Sequence, residues 1–283
     1  MTIERNLPFP DYLNHPAFGS SDLRNFAKLP ALCDWHRRNR TNGTDATAIG
    51  TAAHCLILTP TLFAQQYRVK PEGMTFASKD GKAWREEQRA MGISDDNMLS
   101  QVEMNQVQAI ADAFAGKPAA AKSLRQAVAT EASIFWTQDG LRCKGRPDWF
   151  TTSHVHDLKV SVHASKDIGT LRYRAWAEGW MHQAAHNRAG LRLNGYPHVN
   201  GARLVVIAPK GPSAIQTYCL ELSEHTLDVI ELEMESIRKA MVPCVETGVW
   251  PGTPDDWETI EIPSSAYAAD VDDSMMSDAV EVE

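Results

Sequence analysis

The alternation of apolar and polar positions is clearest in the middle of the chain. Ala132 to Trp136 is rich in strand formers, Gln138-Asp139-Gly140 is a turn signal, Leu141 to Phe150 alternates, and Thr151-Thr152-Ser153 breaks the pattern before Val155 to Val160. This predicts a three-stranded meander. Ala202 to Ala208 and Ala214 to Leu222 are two further strand candidates, separated by a turn at Pro209-Lys210-Gly211-Pro212. Ser223 then opens a helix whose Leu227, Ile230, Met234, Ile237 and Met241 recur at helical spacing. Asp45 to Leu58 reads as a helix closed near Thr59-Pro60. Ala164 to Ala189 reads as one long helix, with its Ile168, Leu171, Trp176, Trp180 and Met181 assigned to the core rather than to base stacking. The N-terminal third reads as helix and loop. Together these elements predict an α/β fold with a central mixed sheet flanked by helices. The expected organisation is one domain over residues 1–265, divided into a mainly helical 1–130, a sheet-bearing 131–222 and a C-terminal helix at 223–247, then an acidic tail at 266–283.

Composition adds scale. The chain has 283 residues with 43% hydrophobic content, enough for a substantial core. No apolar run approaches the length of a membrane span, and Met1-Thr2-Ile3-Glu4-Arg5 does not open a secretory signal. Five cysteines (Cys33, Cys55, Cys143, Cys219, Cys244) are odd in number and lack paired metal spacing, so reduced thiols in a cytoplasmic protein are expected.

The chemistry concentrates in Lys144-Gly145-Arg146-Pro147-Asp148 and Asp157-Leu158-Lys159. Side chains alternate along a strand, so Asp157 and Lys159 share a face, and Asp148 at the end of the preceding strand can lie beside Asp157. Pro147 has no N–H to give the ladder, which predicts interrupted pairing next to the carboxylate. Two adjacent carboxylates repel unless a cation lies between them, and Mg²⁺, or Mn²⁺, prefers such hard oxygen donors. A lysine on the same face would orient a water or stabilise charge on a phosphoryl oxygen. The bland alternative is a surface salt bridge among Asp157, Lys159 and Arg146.

The net charge of −8, taken over the whole chain, argues against a polyanionic partner. Yet no Lys or Arg follows Lys239, while eleven Asp and Glu do, and residues 1–239 hold 28 basic side chains against 25 acidic ones. Residues 142–210 are more biased, with eleven Lys and Arg against Asp148, Asp157, Asp167 and Glu178. The segment carrying the candidate metal ligands is therefore also the basic one, as a phosphate-tracking groove requires. Within it, Lys144, Arg146, Arg172 and Arg174 are candidate DNA contacts. Arg24, Lys28, Arg37, Arg38 and Arg40, nearer the N-terminus, would either grip a DNA backbone or form a solvated helix face. Tyr267 to Glu283 carries six acids and no base and is expected to be disordered. It would serve as a solubilising tail or as a competitor for the basic groove.

Pro147-Asp148 with Asp157-Leu158-Lys159 resembles the PD-(D/E)XK nuclease superfamily. The likeness extends to Ser20-Ser21-Asp22-Leu23-Arg24-Asn25-Phe26, Leu29-Pro30-Ala31, Gly50-Thr51-Ala52-Ala53-His54 and Leu58-Thr59-Pro60, then Glu131-Ala132-Ser133, Gln183-Ala184-Ala185 and Trp250-Pro251-Gly252. In that order they are similar to the exodeoxyribonuclease VIII (RecE-type) phage recombination exonucleases, over about Leu13 to Pro263. The resemblance implies a Mg²⁺-dependent exonuclease that resects double-stranded DNA from a 5′ end and leaves a 3′ strand for a single-strand annealing protein, in a homo-oligomeric ring. It implies Asp148, Asp157 and His54 as metal ligands, Lys159 as the catalytic lysine, Glu131 as the acid preceding the meander, and Gln183 as the glutamine near the scissile phosphate. A tyrosine often follows that glutamine in the family. Here Ala185-His186 stands in its place, which leaves His186 as a candidate phosphate contact. Read from the residues alone, His54 could equally be a partly buried structural histidine, and Glu131 a solvated residue at a junction.

Other chemistry finds less support. His154-x-His156 puts two imidazoles on one strand face, opposite to Asp157, without further zinc ligands, and no Walker-type loop indicates an ATPase. A structure-specific or restriction-like endonuclease and a catalytically silent recombination scaffold remain as alternatives to the exonuclease.

Overall fold

The computed structural model describes residues 1–39, 45–161, 167–209, 215–253, 255 and 259, with the side chains of 45–47 not included. All elements below lie in one compact unit, Met1–Pro251; a second unit, Gly252–Glu283, contributes no helix or strand among its described residues. Arg40, the Pro209-to-Pro212 turn beyond its first residue, and the acidic tail lie outside the described residues.

The N-terminal half is mostly helical: β1 (Thr2–Glu4), α1 (Phe9–Asn14), α2 (Ser20–Lys28), α3 (Pro30–Arg38), α4 (Asp45–Leu58), α5 (Pro60–Gln66), β2 (Arg68–Val69), α6 (Lys79–Ala90), β3 (Met98–Leu99), α7 (Gln101–Ala115) and α8 (Pro118–Arg125). Their starts follow local chemistry. Pro occupies the first helical turn of α1, α3, α5 and α8, where its missing N–H costs nothing. Ser100 and Glu103 form a reciprocal capping box on α7. The sheet region follows: β4 (Ala129–Thr130), β5 (Ser133–Gln138), β6 (Leu141–Gly145), β7 (Trp149–Phe150), β8 (His154–Val160), α9 (Ile168–Ala177), α10 (Trp180–Leu193), β9 (Gly201–Ala208), β10 (Gln216–Leu222) and α11 (Glu224–Thr247).

The predicted meander is divided between two sheets. β5 and β6 pair with β1 in the order β1-β5-β6, whereas β7 and β8 belong to a mixed sheet ordered β10-β9-β8-β7-β4, in which only β8 and β9 run parallel. The chain changes sheets at Arg146-Pro147-Asp148, where proline supplies no ladder donor. Leu141 to Phe150 is therefore two strands rather than one.

The predicted long helix is also two. Gly179 adopts φ 78°, a left-handed conformation that closes α9 and opens α10 in a new direction. The Arg24 guanidinium fills the corner and donates to the Ala177 and Glu178 carbonyls at 2.7 and 2.8 Å, capping the end of α9. This gives Arg24 a structural task, where the sequence offered either a DNA contact or a solvated helix face.

The mixed sheet is covered on both faces. Val155, Leu204, Val206 and Ala208 pack in a core with α2, α10 and α11, through Leu23, Leu191, Leu227 and Met234. Leu158, Val205 and Ile207 turn the other way, against Ala52 and Ala53 of α4 and Val107, Ile110 and Phe114 of α7. These strands are apolar on both faces, as central strands must be. No described helix is long and apolar enough to cross a membrane.

Candidate metal centre

The junction between the two sheets builds the site. As the chain leaves β6 and enters β7, the Asp148 carboxylate is drawn against β8, where its Oδ2 accepts a 2.5 Å hydrogen bond from the Leu158 N–H, between Asp157 and Lys159. The Asp148 carbonyl accepts from the Glu131 N–H at 2.9 Å. Glu131 sits at φ 51°, a region sparsely occupied by non-glycine residues, in the turn between β4 and β5. Arg146 holds its side chain: Nε donates to Glu131 Oε2 at 2.8 Å, and Nη1 reaches the Leu7 carbonyl and the Ser133 hydroxyl. From the opposite side, α4 brings His54 Nδ1 to 3.7 Å from Asp148 Oδ2. One ligand atom each from His54, Glu131 and Asp148 lies within 4.8 Å of the others.

Asp157 and Lys159 complete the cluster. Asp157 is 1% exposed, and Lys159 Nζ stands 2.8 Å from its Oδ2. The approach is oblique, so neither Asp157 oxygen accepts an aligned hydrogen bond among the described residues. Lys159 Nζ is also steered by α10, donating to Gln183 Oε1 at 3.0 Å.

The electrostatics are those of a site short of positive charge. Burial pushes the Asp148 carboxyl well above its usual range, and the charges of Asp157 and Glu131 add to the shift. Glu131 is raised as well, chiefly by burial, against the opposing pull of Arg146. Burial alone would depress Lys159, but Asp157 and Asp148 outweigh it and raise the amine, which stays an ammonium. His54 is lowered to about 4 by burial and by the neighbouring Lys159, so its imidazole is neutral at pH 7 with a lone pair to offer.

These donors fit a divalent cation. An Asp148 carboxyl raised by burial and by its acidic neighbours, and a buried acceptor pair without aligned donors, are both relieved by an ion bound among them. His54, Glu131 and Asp148 could hold it, and Asp157 adds charge beside them.

The fold has a solved counterpart. A crystal structure of a "putative exonuclease" from Eubacterium rectale superposes with a TM-score of 0.58 at 14% identity, covering 98% of this chain and 99% of that one. No protein-family model matches the chain, and no curated protein matches it significantly. At that identity the likeness is one of fold, and it extends over practically the whole length of both molecules.

The basic residues expected to meet DNA separate into two groups. Lys144, a candidate DNA contact in the sequence, points inward, its ammonium donating to the Tyr12, Leu13 and His15 carbonyls at 2.8 to 2.9 Å and tying β6 to the end of α1. His186, the other candidate phosphate contact, is also turned inward. It is buried, its Nε2 lies 3.0 Å from the Lys144 carbonyl, and burial lowers it to about 4. Arg146 serves Glu131 rather than facing outward. Arg37 bonds Asp22 and the Pro16 carbonyl, and Arg38 bonds Asp34. Arg172 is exposed on α9, whereas Arg174 is half-buried in an ion pair with Glu178. Sequence reasoning missed the Leu158 N–H that clamps Asp148 and the role of Arg146 in holding Glu131. A backbone donor carries no residue signature, and an Arg–Glu pair fifteen positions apart has none either.

Proposed function

We propose that this protein is a divalent-metal-dependent deoxyribonuclease with a PD-(D/E)XK core, acting on ends of double-stranded DNA in the manner of RecE-type exonucleases. The observation that carries the reading is the convergence of His54, Glu131 and Asp148, from three different segments, beside the buried Asp157 and its partner Lys159. Mg²⁺ or Mn²⁺ bound there would lower the pKa of a coordinated water and neutralise charge on the phosphoryl group under attack. Asp148 and Glu131 would hold the ion with His54 contributing a neutral nitrogen, and Asp157 would add negative charge beside them. Lys159, kept protonated by the carboxylates and aimed by Gln183, meets the phosphate oxygens or the attacking water. Arg146 fixes Glu131 through its hydrogen bond to Oε2.

The 5′ to 3′ polarity, a ring-shaped homo-oligomer and delivery of the 3′ strand to an annealing protein extend this reading by family resemblance. One assay tests it: linear and covalently closed circular duplexes are incubated with Mg²⁺, with Mn²⁺ and with EDTA. Metal-dependent loss of linear DNA alone is expected. Cutting of circles would instead identify an endonuclease, and binding without cutting a silent scaffold; end-labelled duplex reads the polarity.

A further inference from the structure

Helix α9 carries an outward face that its sequence assigns to the core. Trp176 is 47% exposed and Tyr173 72% exposed, and with Arg172 and Gly169 they recur at i, i+3, i+4 and i+7, one continuous stripe. Leu171 and Ala175 are its buried residues, on the other side. Two large aromatic rings left in water beside an arginine on one stripe are a costly arrangement for a free surface and a useful one for a ligand with flat faces and negative charge.

The stripe touches α10, the helix that also carries Gln183. The Trp176 ring packs on His182 with centroids 4.7 Å apart, His182 is the neighbour of Gln183, and Gln183 holds the Lys159 ammonium. Glu178, at the end of α9, is close enough for its charge to act on Lys159. The charges on the helix sort simply. Asp167 caps its N-terminus through the Thr170 N–H and hydroxyl, and Glu178 pairs with Arg174. No described carboxylate pairs with Arg172, whose guanidinium lies next to Tyr173 in sequence.

We infer that the Arg172-Tyr173-Trp176 face of α9 is a stacking platform for unpaired bases of the strand whose phosphate enters the metal centre. The inference rests on the nuclease reading and deepens it, because it assigns the site a strand that is already frayed or single. Every base offers a π-face to an aromatic ring, each stack strengthening binding by about five- to 150-fold, while an arginine engages the backbone without reading sequence. A duplex keeps its bases stacked on one another and offers this face only its terminal pair.

The test separates bases from backbone. The full chain is titrated in EDTA with a labelled oligothymidine and with an abasic oligonucleotide of equal length and charge, so that no cleavage intervenes and the result is independent of whether the protein cuts DNA. The wild type is expected to bind oligothymidine about tenfold or more tightly than the abasic strand. Tyr173→Ala with Trp176→Ala should abolish that preference and leave abasic binding within about twofold. Arg172→Ala should weaken both strands equally and reduce the salt dependence by about one ion. Trp176→Phe, which retains a ring against His182, guards against loss of packing and should retain most of the preference. Equal wild-type affinity for the two strands, or a preference that survives the double substitution, overturns the inference. Metal-dependent cleavage, measured separately, decides the nuclease reading.

Discussion

Asp148→Asn separates the charge of the candidate centre from its architecture. The asparagine side-chain oxygen can still accept from the Leu158 N–H, so the clamp between β7 and β8 is retained while one negative charge is removed. The carboxylate oxygens of Asp148 and Glu131 lie within 4.8 Å, and at an effective dielectric of about 20 that repulsion is roughly 3.5 kcal/mol. Arg146 on Glu131 and Lys159 on Asp157 offset part of it. A net gain of about 1 to 2 kcal/mol is expected for the metal-free protein, or roughly 2 to 8 °C in Tm for a domain of this size. The sign follows from the raised Asp148 pKa. The folded state binds the proton more tightly than the unfolded one, so metal-free wild type loses stability as pH rises from about 4 through the folded value, and the variant lacks that loss. In the wild type, about 10 mM Mg²⁺ against a Kd of order 1 mM should add about 1.4 kcal/mol. The variant should lose both this response and nuclease activity. Thermal unfolding in EDTA and in Mg²⁺, at pH 5 and pH 8, measures all of it. A variant that is less stable without metal, or that retains the full Mg²⁺ response, refutes Asp148 as a ligand under electrostatic strain.

Three further perturbations test the surrounding structure. Gly190→Ala should destabilise the fold by about 1 to 2 kcal/mol in chemical denaturation although alanine favours helix, because a Cβ there would come 2.6 Å from the buried Trp136 ring. His186 and His156 are buried with values lowered to about 4 and about 3, so both are neutral in the native state. Their stabilising contribution is complete above pH 6.5 and is lost as pH falls, about 2 kcal/mol each by pH 5, and His186→Gln should flatten the slope of stability between pH 6.5 and 4. Lys144→Met should cost about 2 to 4 kcal/mol by leaving three carbonyls without their donor, while the salt dependence of DNA binding stays unchanged; a reduced salt slope would return Lys144 to the DNA surface.

The sequence determined what depends on local chemistry. Helix α4, strands β5, β8, β9 and β10 and helix α11 follow from hydrophobic period, capping residues and turn signals, within a residue or two of the expected bounds. The alternation on β8 was enough to place Asp157 and Lys159 on one face, and Pro147 marked where pairing stops. Tertiary structure decided everything that depends on which segments meet. That β6 and β7 join different sheets comes from their partners, β1 and β8, far away in sequence. That Gly179 breaks a helical run depends on Arg24, 155 positions earlier, filling the corner. Burial then sorted the cations, because a lysine and an arginine carry the same formal charge on paper, and only packing sent Lys144 inward and left Arg172 and the aromatic rings of α9 exposed.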